Sequence, residues 1–223
     1  WMTKESTGWQ HDSYFAVHNW WHLALFHLGQ GETDEVLRLY DGPIYGEASD
    51  MAFDMLDAAA LLWRLKLQGV DVSARFARLA DVYETTAPTF GQSAFSDAHA
   101  MVAFVGAGRG EGAKAVLDAQ RAALAGTGDN ARMVRDVSLP LAEGYRAFGE
   151  GDYRTAIDRL RTVRNRAGRF GGSHAQRDLI DLTLIAAAKR SGDSALERAL
   201  IAERANANPL AEGDEALLSR VAA

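Results

Sequence analysis

An all-α fold, a right-handed superhelix of about five antiparallel helix pairs, is what this sequence predicts. Three observations carry it. Gly31, Gly69, Gly108, Gly151 and Gly192 recur at intervals of 38, 39, 43 and 41 residues. Each follows one helical pattern and precedes another, which makes it a reversal point, because glycine enters the left-handed conformation that closes a helix without a Cβ penalty. Proline is scarce, and Pro43, Pro88 and Pro209 fall near expected helix ends.

With 48% hydrophobic residues in 223, the chain can bury a full core, as one large domain or as a stacked array. A net charge of −6 with no cluster of Lys and Arg gives no reason to expect nucleic acid or an anionic membrane as partner. The absence of cysteine rules out disulfides and thiolate metal sites and fits a reducing cytoplasm. The apolar run from Leu182 to Ala188 is too short to span a bilayer, and no signal peptide is evident. A start at Trp1 rather than Met leads to the expectation that residues 1–223 are a single solenoid domain from the C-terminal part of a longer chain. Trp1 and Trp9 are then expected to stack on preceding repeats or on another copy.

The first pair opens on HNWWH, His18 to His22. On a helix, His18 and His22 share a face with Phe15 and Phe26, Asn19 lies at its edge, and Trp20, Ala24 and His27 point the other way. First helices of stacked pairs line the concave surface, so both imidazoles are expected to look into a groove, with Trp20 and Trp21 packed away from it. Histidines at i and i+4 can share a metal ion. Here Asn19 stands where a zinc-protease helix has its glutamate, and a third ligand would have to come from a distant repeat. Packing or hydrogen bonding is therefore the expectation, with no metal and no cofactor.

In the second pair, Asp50, Asp57, Arg64 and Gln68 form a polar stripe opposite Ala52, Met55, Leu56, Ala59, Leu62 and Trp63. Either this stripe is an ordinary solvated face, or Asp57 and Arg64 face the groove, where a carboxylate can fix an imidazole tautomer. The third pair places Asp97 and His99 at the start of an apolar run. Asp97 is explained by the helix dipole alone, whereas a partly buried His99 needs a partner. Pro140, after RMVRDVSL, either starts a helix in its first turn or kinks a longer one.

The fourth pair, LAEGYRAFGEGDYRTAIDRLRTV, matches the small and large positions of a tetratricopeptide repeat at Gly144, Gly151, Tyr153, Ala156 and Leu160. In the fifth, GRFGGSHAQRDLIDL, Ser173 and Gln176 form a capping-box pattern. His174, Asp178 and Asp181, flanked by Arg177, make a stripe that capping does not explain. A helix start with His174 and Arg177 also suits a carboxylate or phosphate.

HNWWHLALFHLGQGETDEVLRLYD, DAAALLWRL, FSDAH and GGSHAQRDLIDLTLIAAA, in this order, resemble the C-terminal half of the family named after tetratricopeptide repeat protein 38. The resemblance implies an all-helical solenoid with further repeats before Trp1, and it brings no activity with it. Two functions follow from the polar residues of the first helices. One is a scaffold whose concave groove holds a protein partner or small ligand through His18, Asn19, His22, Asp57, Arg64, Asp97, His99, His174, Arg177 and Asp178. The other is an enzyme acting on a small anionic substrate, with His18, His22, Asp57, His99 or His174 as candidates for acid–base catalysis and Arg177 as anion holder.

Overall fold

The computed structural model describes residues 8, 9 and 13–207, so Trp1 and Pro209 lie outside the described residues. Among the described residues all regular structure is helical, with no strand. No helix among them is long and apolar enough to cross a membrane. The first pair is α1 (Ala16–Gln30) and α2 (Thr33–Leu39), and α2 is followed by a kinked turn, Tyr40–Ile44, where Gly42 leaves helical φ/ψ (−108°, −109°) just before Pro43. The second is α3 (Ala52–Leu67) and α4 (Ser73–Thr85), and the third α5 (Ala94–Ala107) and α6 (Gly110–Ala123). A short α7 (Asp129–Met133) leads into the fourth pair, α8 (Leu139–Gly149) and α9 (Tyr153–Val163). A single turn, α10 (His174–Arg177), precedes the last pair, α11 (Leu179–Arg190) and α12 (Ser194–Ala207).

Each pair packs together across its glycine, and Gly31, Gly69, Gly108, Gly151 and Gly192 have φ of 78°, 81°, 70°, 79° and 79°. At Gly31 the closure is complete: Gly31 N–H bonds the Leu28 carbonyl at 3.1 Å and Glu32 N–H the His27 carbonyl at 3.0 Å. These paired bonds satisfy the last carbonyls of α1. Gly144 serves a different need. A Cβ there would stand 2.8 Å from Leu160 Cδ2, so its absence lets α8 and α9 approach closely. Pro140 lies in the first turn of α8, the first of the two readings left open by the sequence. A π turn at Val134–Ser138 joins α7 to α8, and the wider winding absorbs the hydrogen bond that proline cannot donate.

The core is organised around α3, which packs against α1, α4, α5 and α11. Its Trp63 is wholly buried, meets the rings of Phe76, Tyr145 and Phe148, and donates its indole N–H to Thr183 Oγ1 at 2.8 Å. That bond ties α3 to α11 across 120 residues. The first helices α3, α5, α8 and α11 thus close on one another in a circuit of contacts. Asp57 and Arg64 of α3 are buried against these neighbours, where the sequence left a groove or a solvated face open.

Candidate functional site

The polar residues of α1, α3 and α10 form one connected chain. Asp57, wholly buried, accepts a 2.8 Å hydrogen bond from His18 Nδ1 on one oxygen and a 3.0 Å bond from Gln176 Nε2 on the other. Gln176 is held in turn by the capping box at the start of α10, where Ser173 accepts from its backbone N–H and its side-chain oxygen accepts from Ser173 N–H. At the outer end, His18 Nε2 and His22 Nε2 stand 3.1 Å apart. With Nδ1–H committed to Asp57, His18 presents a lone pair at Nε2 and His22 supplies the proton between them. His18 is partly buried, His22 is exposed, and Asn19 lies beside them, half-buried. Partial burial, followed by the neighbouring His18 charge, lowers the His22 pKa, with Asp57 opposing.

Trp21 is not turned away from this chain. It is fully buried and stacks on the His18 ring at 5.3 Å, and so fixes the imidazole plane from inside the core. Arg64, one step deeper on α3, is also buried. It donates to the Ala60 carbonyl at 3.2 Å and to the Ala175 carbonyl, lies 5.9 Å from the Trp21 ring and stands 3.6 Å from Asp178. Burial lowers its pKa and Asp178 opposes that shift. The solvated-face alternative for Asp57 and Arg64 is thereby overturned, since α3 is enclosed on all sides and both residues are as deep as the apolar stripe.

Asp97 and His99 do not join the chain. Asp97 accepts from Gly91 N–H at 3.0 Å and from Gln120 Nε2 at 3.1 Å, and Gln120 also reaches Ser138 Oγ. This network closes the segment before α5 onto α6 and the π turn. Burial raises the Asp97 pKa to about 6. His99 donates from Nδ1 to the Phe95 carbonyl at 2.8 Å and packs against the Phe95 ring at 4.6 Å. Its Nε2 is buried without a partner among the described residues, and burial lowers its pKa to about 4.

His174, Arg177 and Asp178 border a cleft of about 790 Å³ between α10, α11 and α12. Ile180, Ile185 and Leu200 supply its apolar lining. Two of its arginines are committed to carboxylates: Arg164 to Asp181 and Glu203, each at 2.8 Å, and Arg204 to both oxygens of Asp178. Arg177 differs, because its partners among the described residues are the backbone carbonyls of Gly171 and Gly172, both reached through Nη1. His174 is exposed at the same edge.

The structure therefore brings His18, His22 and Asp57 together, links Asp57 to α10 through Gln176, and carries Arg64 to Asp178. His174 and Arg177 stand at the cleft. Sequence reasoning took Gln176 only as a cap and did not weigh Arg164 or Arg204, because no spacing rule connects side chains that far apart. Among the described residues no group of three or more His, Asp or Glu is arranged to hold a metal ion. Compared with known proteins, the chain matches no family model and no solved structure.

Proposed function

We propose that the chain is a ligand-binding helical scaffold of the tetratricopeptide type, a right-handed superhelix related to the C-terminal half of the tetratricopeptide repeat protein 38 family, working in the cytoplasm. Its ligand is a small molecule bearing a carboxylate or phosphate, seated in the cleft between α10, α11 and α12. One observation carries this reading: Arg177 is the lining guanidinium whose partners, among the described residues, are only carbonyls. A cleft of about 790 Å³ falls within the range of small-molecule sites, and an arginine free of carboxylates is suited to an anion. The polar chain behind it, from Asp57 through Gln176, braces α10 against the core. The exposed rings of Tyr14, Phe15 and Phe26 offer a face on which a further repeat or a second copy would stack.

Calorimetric titration with citrate and with inorganic phosphate tests the cleft. At least one should bind the wild type, and Arg177→Gln should weaken that binding about tenfold or more, the loss of one charge-assisted contact. Equal affinity in both proteins would remove the cleft from the proposal. A second reading, an enzyme with His22 as general base, has its own support in the Asp57–His18–His22 chain, which resembles a base held in one tautomer by a buried carboxylate. The binding reading is preferred because the cleft is lined by residues between Arg164 and Arg204 and not by His22.

A further inference from the structure

We propose that His18 and His22 together bind a divalent transition metal of the zinc, nickel or copper class, with Asp57 as the carboxylate behind the first histidine. The site is independent of the cleft. The two Nε2 atoms are 3.1 Å apart, the ring centres 4.6 Å, and the ring planes meet at 85°. Rings set head to head through one N–H···N bond would have their centres further apart. These rings are inclined, and their Nε2 atoms are close enough for one ion to sit beside the line between them. A metal roughly 2.0–2.1 Å from each nitrogen would subtend an angle close to a right angle there, as adjacent ligands do in octahedral or square arrangements.

The tautomer is already set for this. Asp57, with no solvent exposure, accepts a hydrogen bond from His18 Nδ1–H and leaves Nε2 as the ring nitrogen able to ligate. A carboxylate bonded to the far nitrogen of a metal-bound imidazole is the usual outer support of such sites, where it orients the ring and raises its basicity. Here the carboxylate is itself held by Gln176, and the imidazole plane is held by Trp21. A histidine serving only to pack would not need its orientation fixed from two sides. His22 is exposed, so an ion has access from solvent. Among the described residues the protein supplies two ligands, and water or an exogenous ligand takes the other positions. On binding, neutral His22 carries its single proton on Nδ1 and offers Nε2 to the ion, so the N–H···N bond between the rings is replaced by two metal–nitrogen bonds.

Calorimetric titration of the full chain with Zn²⁺, Ni²⁺ and Cu²⁺, with Mg²⁺ as control, tests the site. Expected are one equivalent bound with micromolar affinity, tightest for Cu²⁺, and no heat from Mg²⁺. His22→Ala, at an exposed position, should abolish the equivalent while leaving the circular dichroism unchanged, and His174→Ala should leave it intact. Asp57→Asn, in samples shown to be folded, should weaken binding about 10- to 100-fold. Paramagnetic broadening by Cu²⁺ should fall first on the ring protons of His18 and His22. Stoichiometric binding retained by His22→Ala, or no wild-type binding below millimolar metal, would overturn the proposal.

Discussion

His18 and Asp57, 39 residues apart in sequence, are joined by a 2.8 Å hydrogen bond that fastens α1 to α3. The Asp57 side chain has no exposure to solvent, so its oxygens are satisfied by protein donors: His18 on one and Gln176 on the other. Asp57→Asn would keep an acceptor for one donor and turn an N–H toward the second. A loss of about 2–3 kcal/mol in urea denaturation is expected from one buried donor left unsatisfied. Gln176→Ala should cost less, and the two effects should couple by about 1 kcal/mol or more in a double-mutant cycle. Strict additivity would show that Asp57 does not depend on Gln176.

The glycines separate into three kinds that substitution should distinguish. Gly151 has φ of 79° with open space around it, so Gly151→Val should cost about 1–2 kcal/mol through backbone strain alone. Gly106 has an ordinary backbone, but a Cβ there would lie 2.4 Å from Phe76 Cε1, in a side chain with no exposure. Gly106→Ala should therefore cost about 1–3 kcal/mol by overpacking. Gly110 sits at the start of α6 with nothing within 4 Å, and Gly110→Ala should be neutral or stabilising by up to about 1 kcal/mol. Thermal melts of the three variants give the ranking, and a destabilised Gly110→Ala would upset this account.

Trp63→Phe removes the indole that reaches Thr183 and leaves space where α3, α8 and α11 meet. The Thr183 hydroxyl keeps its own bond to the Leu179 carbonyl at 2.6 Å, so the loss is chiefly one of packing. About 2–3 kcal/mol is expected by urea denaturation. A variant as stable as the wild type would show that the joint between α3 and α11 does not carry the fold.

What the sequence disclosed was local. The turn glycines were legible because a left-handed residue must end a helix whatever surrounds it, and all five have positive φ. The capping box at Ser173 and Gln176 was legible for the same reason. A meeting of an α1 imidazole with an α3 carboxylate was one of the readings open, since each is the polar face of its own helix. Which histidine and which carboxylate was not fixed until the structure joined His18 to Asp57. The burial of Asp57 and Arg64 was not legible, because it depends on α11 and α10 folding over α3 from more than 100 residues away. A helix taken alone shows a polar stripe there, and only the tertiary partner decides whether that stripe meets water or another helix. Arg204 escaped notice for the same reason: its partner Asp178 lies across a turn, with no fixed sequence offset to reveal it.

Asp97 and His99, two residues apart on α5, should oppose each other in the pH dependence of stability. Burial raises the Asp97 pKa from 3.8 to about 6, so folded protein holds that proton more tightly than unfolded chain does. Its contribution is fully present at pH below the unfolded value and is lost as pH rises through about 6. His99 is lowered by burial from 6.5 to about 4, so its contribution is present above 6.5 and is lost as pH falls through about 4. Each amounts to roughly 3 kcal/mol at most, at about 1.4 kcal/mol per pH unit, and between pH 4 and 6 they nearly cancel. Asp97→Asn should therefore make stability fall more steeply on acidification from pH 6.5 to 4. His99→Gln, which keeps a donor for the Phe95 carbonyl, should shift the slope the other way, and the double variant should restore the wild-type profile. Urea midpoints at about pH 4, 5, 6 and 7 give the slopes. Parallel profiles for all four proteins would mean that neither group changes its proton affinity on folding.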